Sequence, residues 1–455
     1  MSALPATGHD WPAQPGAARE AVQPVPGGEL DDEGFRAAAR QIFTEAAGEL
    51  GVAATRERAR VIAAERTAAW AEQQARAGGV LATAATQTAL VRAVLDEQYG
   101  LGPLQPYLDD TDVENIDING PGQVWVTLKD GRRLAGRPVA SSDAELMEMV
   151  RTWGLREGQT PREFSVTNPL LNAALNEAGV RLSAVMSVTP RVHVSVRCHR
   201  LVDITLDELC QPGYGTLSAE LAHFLACAVR GYKNIIVTGG VDAGKTTLLR
   251  ALTSAIDAGE RVATLESEYE LYLHRLPGRH RDVVAMEARQ ANTEGAGAIS
   301  LHDLIPQALR LNPRRIIVGE VRDTEIRPML EAMNSGQEGS LATIHANSAD
   351  EVFNRILMLA QRGNLAFAPE VIHLEVGMAR PFVVHIRKDP ATHQRYVSEV
   401  IEVLPPADGA QPSRNRVFSP GPDGRAAPDH SLSHEAMDQL MAAGFSPGVL
   451  AWSRP

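Results

Sequence analysis

A chain of 455 residues exceeds what one ordinary domain needs, and its 44% hydrophobic and 22% charged content is that of a folded globular protein. The formal net charge of −12 argues against a protein whose main task is gripping nucleic acid, which calls for a basic excess. Cys198, Cys210 and Cys227 lack metal-ligand spacing, and no run reaches the roughly 18 apolar residues of a membrane span, so a reduced, cytosolic chain is expected.

Residues 1–30 are rich in Pro, Gly and Ala without periodicity and read as a disordered segment. A helical module is expected over 31–98. Phe35, Ala39, Ile42, Phe43, Ala46 and Leu50 share a helix face, a second helix runs over Thr55–Arg76, and a third over Ala82–Gln98. A smaller α/β domain is expected over 99–204. In it Val113–Asn119 and Gln123–Leu128 flank Asn119-Gly-Pro-Gly122 as a hairpin, Ser142–Trp153 and Leu170–Glu177 read as helices, and Arg181–Ser183 and Val192–Arg197 as strands. Over 205–404, strand and helix patterns alternate, which predicts an α/β nucleotide-binding core; Ser348 and Glu351 there have the spacing of a capping box. Residues 405–455 read as a Pro/Gly-rich peripheral tail carrying one short helix at Ser433–Ala443.

The most informative stretch is Asn234-Ile-Ile-Val-Thr-Gly-Gly-Val-Asp-Ala-Gly-Lys-Thr-Thr-Leu-Leu-Arg250. An apolar strand stops at a glycine turn, and a helix pattern begins where the turn closes, giving G-x-x-x-x-G-K-T from Gly239 to Thr246. Backbone N–H groups of Gly239, Gly240, Val241, Asp242, Ala243 and Gly244 would cradle the phosphates of ATP, at the positive end of the helix that Thr247 continues. Lys245 supplies a point charge for the β- and γ-phosphates, and the Thr246 hydroxyl is a Mg²⁺ ligand. Asp242 is unusual. At ~7 Å its carboxylate would repel one phosphate charge by about 2 kcal/mol, so it is expected either to turn to solvent or a cation, or to weaken nucleotide binding.

Three further segments carry chemistry. Arg315-Ile-Ile-Val-Gly-Glu320-Val-Arg322 is a buried-type strand ending in an acid, where Glu320 can polarise the attacking water and take part in holding Mg²⁺. The acidic cluster Glu266-Ser-Glu268-Tyr-Glu270 reads either as an outer-sphere Mg²⁺ or water-positioning site centred on Glu266, or as a solvated loop. His345, ending the segment from Gly339, reads either as a sensor of the γ-phosphate or as a structural histidine. Arg181, Arg191, Arg197, Arg279 and Arg289 are candidates for neutralising transition-state charge, and spacing does not choose among them.

In this order, the pieces resemble the secretion ATPases of the type II/type IV superfamily, and within it the CpaF-like ATPases of Tad/Flp-type pili. The resemblance runs from about Leu90 to Val403. It rests on Tyr99-Gly-Leu-Gly-Pro-Leu104, Asp117-Ile-Asn-Gly120, the Gly239–Thr246 loop, Glu266–Leu271, Ile316–Arg322 and Gly339–Asn347. It implies a RecA-like core in a ring-shaped homo-hexamer, with ATP bound between that core and the preceding α/β domain. Glu320 would be the catalytic acid/base, Glu266 would belong to the acidic box and His345 to the histidine box, and Arg181, Arg197 and Arg289 would be the functional arginines. It further implies work at the inner face of the cytoplasmic membrane, pushing on inner-membrane platform proteins to move pilin or secreted cargo, with no nucleic acid. Asp242, Ser267 and Gln337 depart from the family pattern. The alternatives are a regulatory or scaffold subunit with little turnover, a nucleic-acid translocating ATPase, and a small-molecule phosphotransferase, the last weakened by the absence of an evident acceptor site.

Overall fold

The computed structural model describes residues 30–51, 55–79, 81–156, 164–175, 179–198, 201–289, 291, 296–334, 336, 338–362, 367–406 and 411–450. The expected disordered segment, Leu30 excepted, and Gln337 lie outside them. The chain divides into two compact units, residues 1–153 with 183–197 and residues 154–182 with 198–455. This differs from the expected boundaries. The helical module shares a unit with most of the first α/β region, and residues 154–182, Arg181 among them, go with the nucleotide-binding core.

In the first unit, α1 (Asp32–Gly51), α2 (Arg56–Arg76) and α3 (Ala84–Tyr99) pack Ile42, Leu50, Ile62, Trp70, Leu90 and Val94 into one core. Threonines start two of these helices. Thr55 and Thr83 hydroxyls accept the backbone N–H of Arg58 and Thr86, satisfying amides that the helix itself leaves unpaired. A short α4 (Gln105–Asp109) leads into β1 (Val113–Asn119), β2 (Val124–Leu128) and β3 (Arg133–Gly136). The expected hairpin is there: Asn119 N–H donates to the Gln123 carbonyl at 2.8 Å and Gly120 takes φ +77°, where a side chain would be strained. After α5 (Asp143–Arg156) come β4 (Leu170–Leu175), which goes with the second unit, β5 (Val180–Val185), which crosses the division, and β6 (His193–Cys198), which pairs antiparallel with β1. Leu170–Leu175 is therefore a strand and not the expected helix. Its Leu171, Ala173 and Leu175 are buried in alternation, and this period of two overrides the helix propensity of an Ala/Leu-rich stretch.

The second unit is built on a nine-stranded sheet. In chain order its elements are α6 (Leu206–Leu209), α7 (Ala219–Arg230), β7 (Ile235–Gly239), α8 (Lys245–Thr253), β8 (Arg261–Glu266), β9 (Asp282–Glu287), α9 (Leu301–Leu309), β10 (Arg315–Val321) and α10 (Ile326–Asn334). Then follow β11 (Leu341–His345), α11 (Glu351–Ala360), α12 (Pro369–Ala379), β12 (Phe382–Lys388), β13 (Arg395–Leu404), β14 (Ser413–Pro420), β15 (Ala426–Pro428) and α13 (His434–Ala442). The strand order is β15-β14-β13-β12-β7-β11-β10-β8-β9, parallel from β12 to β9 and antiparallel beyond β12. Helices cover both faces. Val237, Leu225, Leu248 and Phe382 belong to one core, and Ile236, Ile305, Val318, Leu330 and Ile356 to the other, which is why the central strands read as unbroken apolar runs. The loop-bearing β7 lies between β12 and β11, with the acid-bearing β10 one strand further, a RecA-like arrangement that collects the carboxyl ends of these strands at one edge.

Two expectations about the ends of elements change. The capping box at Ser348 is half formed: its hydroxyl accepts Glu351 N–H, while the Glu351 carboxylate takes the Asn347 side chain. The tail is not peripheral over 411–450. β14 and β15 extend the central sheet, Val417 and Phe418 are buried, and the Phe224 ring meets those of Phe418 at 5.1 Å and Phe445 at 5.8 Å. β14 is mostly polar, with Val417 and Phe418 its buried residues, and Pro and Gly follow it, so composition hides it. Among the described residues, no helix is long and apolar enough to cross a membrane.

Candidate ATPase site

The phosphate loop is shaped by close approach. A Cβ on Gly239 would lie 2.4 Å from the Ile386 carbonyl of β12, and Gly244, at φ +95°, starts α8 in a conformation that side chains avoid. Ala243 is buried beneath the loop, and Val241 is 80% exposed at its tip. Asp242 does turn to cations. At φ +59° its carboxylate meets Lys388 Nζ at 2.6 Å and Arg395 Nη2 at 3.1 Å. Lys245 is buried and donates to the Gly240 carbonyl at 2.8 Å and to His345 Nδ1 at 3.1 Å.

From His345 the line of contacts continues to the acid on β10. His345 Nε2 lies 2.8 Å from Glu320 Oε1, and Arg322 Nη2 donates to Glu320 Oε2 at 2.5 Å. With Lys245 donating to Nδ1, the imidazole proton belongs on Nε2, pointing at the carboxylate. Burial pushes the Glu320 carboxyl up, but the bonds from His345 and Arg322 outweigh it and hold the group near 2, ionised at any physiological pH. A register shift between Val318 and Val321 re-aims Glu320 out of the ladder. The Gly-Glu order has a steric reason as well: a Cβ on residue 319 would sit 3.1 Å from Glu266 Cγ.

The acidic box is organised, not a solvated loop. Glu266 ends β8 fully buried, and its Oε2 accepts the backbone N–H of Glu270 and Leu271, both at 2.7 Å. Burial dominates over these bonds and pushes its carboxyl up to about 7. The carboxylate that reaches the phosphate loop is Glu270, whose Oε2 accepts the Thr246 hydroxyl at 3.0 Å. The sequence centres the expectation on Glu266, and the alternation of acids after β8 is the signal that points to Glu270. The buried Arg250 was missed; it donates from Nε to the Glu270 carbonyl and from Nη1 to that of Leu201, both at 2.9 Å, fixing the box to α8. Mg²⁺ needs only one or two protein oxygens beside phosphate and water, and Thr246 Oγ1 with Glu270 is such a donor pair.

The candidate arginines separate. Arg181 on β5 forks onto Glu268 and Glu270 and so joins the site. Arg289 is exposed after β9, its Nε donating to the Gly297 carbonyl at 2.6 Å, and it lines a cleft with Ser267 and Glu268. Arg279 is engaged by Asp203 at 2.6 Å. Arg197 lies half-buried on β6, opposite Asn115, and Arg191 pairs with Asp143 at 3.2 Å, both in the first unit.

The model of the family of type II/IV secretion system proteins matches residues 161–376. A protein of Mycobacterium tuberculosis strain H37Rv named for conjugal transfer is 32% identical over 324 residues, covering 70% of this chain and 88% of its own length. The type IV secretion system protein VirB11 of Brucella suis is 26% identical over 340 residues, covering 69% of this chain and 91% of its own. Among solved structures, the Legionella pneumophila ATPase DotB is similar at 17% identity and a TM-score of 0.49, with 68% of this chain and 81% of that one covered. The chain therefore belongs to the family of type II/IV secretion system proteins, and its phosphate loop makes it a P-loop ATPase.

Proposed function

We propose that this ATPase is a Mg²⁺-dependent motor that works as a ring-shaped homo-hexamer at the inner face of the cytoplasmic membrane. There it would act on inner-membrane platform proteins to drive pilus assembly or protein secretion, and the sequence motifs favour a Tad/Flp pilus machine of the CpaF-like type. The observation that carries hydrolysis is the line Lys245–His345–Glu320, which joins the phosphate loop to an ionised acid at the end of β10.

In this reading the γ-phosphate draws Lys245 away from the Gly240 carbonyl and from His345. His345 is then held through Nε2–H on Glu320, which keeps the carboxylate oriented toward the attacking water. When bound, Mg²⁺ supplies charge neutralisation at the β- and γ-phosphate oxygens, and Thr246 and Glu270 are the residues that would hold it. Arg181, held on Glu268 and Glu270 beside Thr246, would help to neutralise charge on the phosphates.

The test is Mg²⁺-dependent phosphate release from ATP at several protein concentrations, for wild type and Glu320→Gln. An assembling motor gives wild-type specific activity that rises with concentration, and a variant slower by at least ~100-fold. Wild type that binds ATP yet turns over no faster than the variant would instead mark a regulatory or scaffold subunit. The conjugal-transfer name of the M. tuberculosis relative favours a second reading, a nucleic-acid motor, which added DNA would reveal by stimulating turnover.

A further inference from the structure

Asp242 places an acid inside a loop whose purpose is to hold phosphates, and the structure surrounds it with cations from distant parts of the chain. Lys388 and Arg395 stand directly opposite each other where β12 and β13 meet, and both reach its carboxylate, at 2.6 Å and 3.1 Å. Arg395 Nε also donates to the Asp242 carbonyl at 3.2 Å, and its stem lies against Gly244, where α8 begins. The hairpin end that presents them is well tied. Asp389 N–H donates to the Gln394 carbonyl at 2.8 Å, and Asp389 Oδ1 accepts the N–H of Ala391 and Thr392 at 2.8 Å and 2.7 Å. Arg425 supports it from the turn before β15, bonding Gln394 Oε1 at 3.2 Å and lying 5.2 Å from the Tyr396 ring centre.

We infer that Lys388 and Arg395 are affinity-determining residues of the nucleotide site: they neutralise Asp242, so that the loop accepts a polyphosphate despite the acid within it. The inference rests on nucleotide binding at this loop. Two effects compete when the cations are removed. A part-exposed ion pair is worth a few-fold at most in an equilibrium, so loosening the loop is the minor consequence. An uncompensated carboxylate at ~7 Å from phosphate charge is worth more than tenfold in affinity, so repulsion is the major one. Removing the acid should therefore cure the loss of the cations, which no purely structural role for the cluster would predict.

The experiment is ADP binding by titration calorimetry on the full chain, with Lys245→Ala as the control for the loop itself. Lys388→Ala with Arg395→Ala should weaken ADP binding by at least ~10-fold, and adding Asp242→Gly, which suits φ +59°, should restore it to within ~3-fold of wild type. Asp242→Gly alone removes the acid and keeps both cations beside the loop, so it should bind ADP at least as tightly as wild type. That single variant keeps the inference testable should the alanine pair fail to fold. Weaker binding by Asp242→Gly, an alanine pair within ~2-fold of wild type, or no recovery in the triple variant would each overturn the inference. If instead Lys245→Ala also leaves binding intact, nucleotide binding at this loop is what has failed.

Discussion

Glu266 and Glu320 are carboxylates at the ends of neighbouring parallel strands, β8 and β10, and the protein treats them in opposite ways. Glu266 is sealed in, accepts two backbone amides on one oxygen, has no partner among the described residues for the other, and is pushed up to about 7. Glu320, also largely buried, receives a histidine and an arginine and is held near 2. Glu266 is sealed while about a fifth of the Glu320 side chain, 21%, stays exposed, so depth and the donors that arrive together decide which acid stays charged. Two neutral amides cannot offset the desolvation of a buried charge, whereas a guanidinium and an imidazole N–H can.

The comparison can be broken in four places. The largest effect belongs to Glu320→Gln, which should cut phosphate release by ~10²- to 10⁴-fold while ADP affinity, measured by calorimetry, stays near wild type. Next is Glu266→Gln, read as thermal stability. Because its folded pKa lies above the ordinary 4.5, Glu266 favours folding at low pH, and that contribution is lost as pH rises through about 7. The amide keeps an acceptor for both backbone N–H groups, so the variant should gain up to about 3 kcal/mol relative to wild type at pH 8, with no gain at pH 4. A wild type and variant that melt in parallel at all pH values would show that Glu266 is not an electrostatic burden.

Smaller still is His345→Ala. Losing the Nε2–H donor should let Glu320 rise toward 4.5, moving the acid limb of kcat/KM upward, while the lost orientation of the carboxylate costs about tenfold at pH 7. An unmoved acid limb would mean that Arg322 alone keeps the carboxylate ionised. The smallest effect is expected of Gly319→Ala, whose new methyl would crowd Glu266 Cγ at 3.1 Å and cost about 1 kcal/mol in denaturant midpoint. Glu266→Ala should relieve that cost if the crowding is what the glycine avoids.

Local features of this site could be read from the chain because local chemistry fixes them. The glycine spacing, the strand that precedes it and the helix that follows lie within one continuous stretch, as does the apolar run that ends at Glu320. What could not be read depends on partners far away. Asp242 meets cations 146 and 153 positions downstream, and Glu270 is chosen over Glu266 by the turn of a loop that two backbone amides set. The strand at Leu170–Leu175 was hidden because alanine and leucine suit a helix in isolation, and only burial on alternate residues decides otherwise. The sheet extension beyond residue 411 was hidden because β14 is mostly polar, with Val417 and Phe418 its buried residues.

Lys245 bonds the Gly240 carbonyl and His345, and Thr246 bonds Glu270. These same groups must let go of a spent nucleotide at the end of each cycle. Internal acceptors that take them back lower the cost of emptying the site, so the molecule competes with its own product for Lys245 and Thr246. A catalyst built this way gives up some equilibrium hold on ADP for faster departure. Where release limits turnover, His345 would then act on throughput by hastening the vacancy that the next ATP must find.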